Sequence, residues 1–334
     1  MFKISNRLVQ ASEASSPREH LEEEHVRAGR DGETGFVERL RNEGGLNSRD
    51  IFCDLRVPDE FQTRKHEIDV VVLTAHGVYC IEVKNWSGEL ERGQDGQSWI
   101  QKRLSANGKG RNGTVDYVIQ HHDVVAELKV RTNLLRNHML RAGCGLKQKY
   151  FHSRVVLLNP HLHVEDGIAS DPQVVMHDKC AEFIGSFQQT YLGMITDAIS
   201  PALLTGQLSY AQIDQVRNVL KTIGTWDVVD LHGGKRLIGD FKSCKQVTVN
   251  RKETELLEFS HQRNGYVSAM WALLGYMPQV SVTLYDRGGA GWIWHSSSGV
   301  INVPYNAEIV FRICGEEADA KIPANDIDRI TLSI

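Results

Sequence analysis

Two carboxylates and a lysine lie on a pair of apolar runs whose spacing can bring them together. The first run reads Glu67-Ile68-Asp69-Val70-Val71-Val72-Leu73 and the second Val78-Tyr79-Cys80-Ile81-Glu82-Val83-Lys84, with Thr74-Ala75-His76-Gly77 between them. Strand side chains alternate between faces, so Glu82 and Lys84 share a face while Ile81 and Val83 point into a core. A short turn folds the second run back beside the first as a hairpin, and Asp69 then comes near Glu82 and Lys84. Desolvating two carboxylates and an ammonium on an apolar hairpin is costly unless something compensates, and a divalent cation would. Hard cations such as Mg²⁺ or Mn²⁺ take one or two carboxylates together with water and substrate phosphate. A cation there polarises a phosphodiester and acidifies bound water, while Lys84 holds the attacking water or the phosphate. The plainer reading is a solvated strand pair, worth about 0–1 kcal/mol, with Asp69 as an edge residue.

A third carboxylate precedes the hairpin. Asp31 reads as the N-cap of a helix over about 31–43, in which Phe36, Val37 and Leu40 lie three, four and seven positions after Glu33. Glu33 therefore shares the apolar face. Two readings stand: Glu33 in the first turn meets only the helix dipole, or it faces the same site as Asp69 and Glu82.

The D…ExK spacing resembles the PD-(D/E)xK nuclease superfamily. Together with Glu67-Ile68-Asp69, the apolar frame and the closing Lys84-Asn85-Trp86-Ser87-Gly88, it makes residues 29–160 resemble the NERD (nuclease-related) domain. That resemblance implies an α/β fold with a restriction-endonuclease-like mixed sheet flanked by helices. It also implies metal-dependent hydrolysis of nucleic-acid phosphodiesters, with DNA favoured over RNA. Lys84, Glu82, Asp69 and Glu33 would be the catalytic set, and Asp69, Glu82 and Glu33 the ligands of Mg²⁺ or Mn²⁺. The family carries an asparagine-proline and then a glutamine at the head of a helix. Here Asn112 is followed by Gly113 and the gap is longer, and Gln120 is the residue carried over.

These residues need elements to hold them. The spacing predicts strands at about 51–57, 67–73 and 78–84, with Pro58 closing the first, and a further strand around Trp99 within 89–103. A basic, glycine-rich loop spans 105–113. A helix is expected from Asp116 to about Leu140, with Gln120 one turn into it, and His121 and His122 read as an exposed pair. Ser153 to Asn159 fits a buried strand, Val174 to Met176 a short one, and about 178–192 a helix. Ser209-Tyr210-Ala211-Gln212 is a capping box opening a helix that Gly224 stops. Residues 1–28 read as a flexible polar leader, 29–225 as the nuclease-like domain, and 226–334 as a mostly β domain of unknown role. Within the last, strands are expected at 246–250, 280–285, 291–295, 300–303, 308–313 and 329–333, as in a small sandwich or barrel. Trp292 and Trp294 share one face there and form either a core stripe or a platform for bases.

Hydrophobic residues make up 41% of the chain and charged residues 24%, the composition of an ordinary globular protein. A net charge of −4 argues against a globally basic nucleic-acid binder. Residues 100–154 nevertheless hold eleven lysines and arginines against three acids. Lys102, Arg103, Lys109 and Arg111 are the candidate phosphate contacts there, the alternative being a solvated helix face with a basic loop. Six scattered cysteines without CxxC pairs read as reduced thiols. With neither a signal peptide nor a membrane-length apolar run, the expected location is intracellular, cytoplasmic or nuclear. A homodimer and a protein partner for the β-rich region are further candidates. The competing function is a catalytically inactive nucleic-acid-binding or adaptor protein that retains the nuclease-like fold.

Overall fold

The computed structural model describes residues 2–61, 65–104, 115–196, 207–261, 270, 274, 276–287, 297–314 and 316–333. The loop at 105–113 with Lys109 and Arg111, and the strand expected at 291–295 with Trp292 and Trp294, lie outside the described residues. In chain order the first elements are α1 (Phe2–Ser15), α2 (Glu24–Asn42), β1 (Ile51–Pro58), β2 (Lys65–Thr74), β3 (Gly77–Lys84), β4 (Gly88–Arg92), β5 (Ser98–Leu104) and β6 (Val115–His122). Next come α3 (Val124–Arg141), β7 (Phe151–Leu157), β8 (Leu162–Val164), α4 (Asp166–Ala169), β9 (Val174–Val175), α5 (Cys180–Thr196) and α6 (Tyr210–Lys221). The remainder is β10 (Asp227–Leu231), β11 (Arg236–Cys244), β12 (Thr254–His261), β13 (Gln279–Asp286), β14 (Ser297–Pro304), β15 (Glu308–Ile313), β16 (Ala320–Pro323) and β17 (Ile327–Thr331). Two compact units result, one of residues 24–224 and one joining residues 1–23 to residues 225–334.

The 24–224 unit is built on a mixed five-stranded sheet of order β1-β2-β3-β7-β9. The hairpin β2–β3 is antiparallel as expected, and β7 runs parallel to β3. Both faces are covered. Val71, Leu73, Val78, Cys80 and Val155 meet Leu128, Leu135 and Met139 of α3 and Ile213, Val216 and Leu220 of α6. Val70, Val72, Ile81, Val83 and Val156 meet Phe36 and Leu40 of α2 and Ile184 and Phe187 of α5. Burial on both sides explains why these strands read as continuous apolar runs. A second sheet of order β6-β5-β4-β8 adjoins them in the same unit. The capping box at α6 forms as expected, Ser209 Oγ accepting from the Gln212 backbone while Gln212 returns to Ser209.

Three expectations for this unit need correction. Asp31 does not cap a helix, because α2 already begins at Glu24. Its glycines lower helix propensity, but tertiary contact overrides them: Asn85 Nδ2 donates to Ala28 O at 2.9 Å, and a Cβ on Gly32 would lie 3.2 Å from Asn85. Gln120 is not in a helix, since 115–122 is strand β6 paired with β5. Helical spacing holds only from Val125 onward; Val118 is exposed, and Asp123 is the true N-cap, accepting from Ala126 N. The single strand around Trp99 proves to be the hairpin β4–β5.

The other unit is an eight-stranded, fully antiparallel sheet of order β14-β13-β12-β17-β10-β11-β15-β16. The strands expected at 280–285, 300–303, 308–313 and 329–333 are present as β13, β14, β15 and β17. The strand expected at 246–250 is not, because the chain there makes only an isolated bridge, Cys244 with Val247, and turns at Asn250. Residues 1–23 are no loose leader. Ala14 of α1 enters the core of this unit, Glu13 accepts from Tyr305 Oη and Asn325 Nδ2, and His20 pairs its backbone with His232 and Lys235. Among the described residues no helix is long and apolar enough to cross a membrane.

Candidate functional site

The hairpin ladder runs from Thr74↔Gly77 to Val70↔Ile81 and stops one residue short of Asp69. On the other side of β2, the β1 ladder pairs Cys53 with Val70 and Leu55 with Ile68 and omits the Asp54–Asp69 position. Asp54 adopts φ 53°, a left-handed conformation that Asp tolerates better than most residues. Side-chain alternation breaks at the same place: Ile68, Val71 and Leu73 share one core, whereas Val70 and Val72 enter the other. This local distortion parts β2 from β3. The Asp69 carboxylate fills the gap, Oδ2 accepting from Val83 N at 2.8 Å.

Asp69, Glu82 and Lys84 come together as the sequence spacing requires. Lys84 Nζ lies 2.9 Å from Glu82 Oε1 and 3.8 Å from Asp69 Oδ2. Glu82 is only 4% exposed, and its other oxygen is taken as well: Arg131 Nη1 of α3 donates to Oε2 at 2.9 Å and to Glu67 O at 3.2 Å. Arg131 Nη2 reaches Glu127 Oε2 at 3.3 Å, one turn earlier on the helix. A buried carboxylate bridging two cations is the arrangement that offsets its desolvation.

Burial and neighbouring carboxylates raise two carboxyl groups at the site. Burial, then Asp54, with Glu67 and Glu82 adding to them against Lys84, pushes the Glu33 carboxyl up to about 7. Burial and then Glu82 raise Asp69 well above the usual aspartate range, against the pull of Lys84 and the Val83 N–H. Burial works against the Lys84 ammonium, but Asp69, Glu82 and Glu33 outweigh it and hold its pKa above the ordinary lysine value. Glu33 and Asp69 are thus carboxyls raised by burial and by neighbouring carboxylates, the setting in which an added cation is favoured. Among the described residues no three His, Cys, Asp or Glu side chains are gathered closely enough to hold a metal ion. Asp69 and Glu82 alone fit the one or two carboxylates that magnesium takes. Glu33 stands within electrostatic reach of the pair, on α2.

Of the remaining sequence candidates, the described ones, Lys102, Arg103 and Gln120, lie on the second sheet. Lys102 is on β5 and pairs with Glu91 of β4. Gln120 lies opposite Ile100, whereas His121 lies opposite Trp99, so strand alternation puts Gln120 on the face of Lys102, away from His121, Trp99 and Arg103. Sequence reasoning passed over Arg131 and took His121 for a surface residue. His121 stacks on Trp86 with ring centroids 4.1 Å apart, and burial and then the Lys84 charge hold its pKa below the ordinary histidine value. Gln101 Nε2 donates to Ser87 O, which can only accept, so Gln101 Oε1 is left to accept from His121 Nε2. The period-two pattern of β6 was the available signal for His121, and its loss to a helical reading hid it.

A mixed sheet covered by helices on both faces, with two carboxylates and a lysine at the parting of a hairpin, makes the 24–224 unit a mixed α/β domain. Residues 28–158, from within α2 to the end of β7, match the family model of the nuclease-related domain, NERD. No curated protein and no solved structure matches the chain.

Proposed function

We propose that the 24–224 unit is a metal-dependent nuclease that hydrolyses nucleic-acid phosphodiesters, with DNA the favoured substrate. The observation that carries this reading is the convergence of Asp69 and Glu82 on Lys84 within a nuclease-related domain. Asp69 and Glu82 would hold Mg²⁺ or Mn²⁺, which when bound supplies Lewis-acid polarisation of the phosphodiester and a more acidic water. Lys84 stays cationic at neutral pH because its pKa is raised. It therefore orients the attacking water or meets charge building on the phosphate oxygens, and does not serve as a base. Glu33, near its midpoint at neutral pH, adds a negative charge that favours a cation at the pair.

One observation favours the second reading, a nucleic-acid-binding or adaptor protein without turnover: both oxygens of Glu82 are already engaged by side chains of the chain itself. The two readings separate on purified full-length protein incubated with single- and double-stranded DNA and RNA in Mg²⁺, Mn²⁺ or EDTA. Cleavage that EDTA abolishes and that Lys84→Ala lowers by about 10²–10³-fold is the expected result. Intact binding with no turnover in any metal establishes the adaptor.

A further inference from the structure

We propose that Arg131 is the site's resident counter-cation: it holds Glu82 in place while no divalent ion is bound, and yields Glu82 Oε2 to that ion, turning its guanidinium to the nucleic-acid phosphate. The inference rests on the nuclease reading and deepens it. Glu82 is buried, and a carboxylate at this depth needs partners for its charge. Lys84 covers only Oε1, and Arg131 supplies the second charge at 2.9 Å on Oε2. The remaining ties of Arg131 are looser. Its contact to the Glu67 carbonyl is 3.2 Å and that to Glu127 is 3.3 Å, and the Glu127 side chain is 44% exposed.

A divalent cation at Asp69 and Glu82 would bring a third positive group to a carboxylate already shared by two. Repulsion then falls on Arg131, which can leave, because it stands on the rim of α3 with about a quarter of its side chain exposed. A released guanidinium next to a metal-bound phosphodiester meets the anion that its planar fork recognises best. It would thus serve as a positioning residue for Glu82 before the cation binds and as a phosphate contact afterwards.

The test is a Mn²⁺ titration of full-length wild-type protein, Arg131→Gln and Arg131→Lys, followed by thermal shift and, separately, by cleavage of duplex DNA. Removing a competing charge about 3 Å from a ligand oxygen should lower the half-saturating Mn²⁺ of Arg131→Gln by about tenfold. Cleavage at saturating Mn²⁺ should fall by at least about tenfold in the same variant. Arg131→Lys keeps the charge without the fork, so its half-saturation should stay near wild type while cleavage is partly retained; this variant carries the test if Arg131→Gln does not fold. A wild type that shows a Mn²⁺ shift and cleaves, with both unchanged in the variants, overturns the counter-cation role alone. A wild type with neither shift nor cleavage overturns the nuclease reading together with it.

Discussion

Glu33 is the residue where burial and charge conflict most measurably. Its folded pKa, about 7, lies above the ordinary 4.5. The group therefore contributes stability that is present below about pH 4.5 and is lost as pH rises through about 7. Glu33→Gln should raise the melting temperature at pH 8 by about 2–4 °C, the response to ~1 kcal/mol in a domain of this size once the partial exposure of Glu33 is discounted. At pH 4 the variant and the wild type should melt together; a difference of the same size at both pH values would place the effect in packing. Asp69, Glu82 and Lys84 were legible in the sequence because strand alternation and one short turn suffice to bring them together. Arg131 was not, since it arrives from a helix about fifty residues later, and only the packing of α3 on β3 aims it at Glu82. Gln120 was misplaced because its face depends on whether 115–122 is helix or strand.

At the scale of elements, the closing Lys84-Asn85-Trp86-Ser87-Gly88 segment fixes how β3 hands over to β4. Gly88 has φ +94°, and a Cβ there would lie 2.1 Å from Lys102 O, which is backbone and cannot move aside cheaply. Gly88→Ala should destabilise the 24–224 unit by about 1–3 kcal/mol, read as a lower denaturant midpoint with unchanged slope; a neutral variant would mean that the β4–β5 hairpin shifts freely. That segment also carries Trp86, on which His121 stacks, so a shift in β4 should reach the surroundings of Lys84. The buried strands and α6 could be read from the sequence because apolar runs and a capping box are local signals. The start of α2 could not. An attractive cap at Asp31 pointed to a later start, and the decisive contact, Asn85 to Ala28, is long-range.

At the scale of the whole molecule, the two ends of the chain build one unit. Glu13 and His20 meet Tyr305, Asn325 and Asp326 across about three hundred residues. No local pattern in a serine-rich, charged N-terminus signals that partnership, which is why the segment read as a leader. Removing residues 1–23 should lower the melting transition of the eight-stranded unit by about 5 °C or more, the cost of a few kcal/mol, and leave that of the 24–224 unit in place. An unchanged β-unit transition would show that α1 only decorates the sheet. The proposed phosphodiester hydrolysis requires Asp69 and Glu82 to serve a divalent cation. Its most direct measurement is the single-turnover rate of duplex DNA cleavage in Mg²⁺ by wild-type protein and by Asp69→Asn, which keeps the shape of the side chain and an oxygen for Val83 N–H. The wild type should cleave, and the folded variant should lose at least about 10²-fold in rate. Equal rates in the two proteins would contradict that requirement.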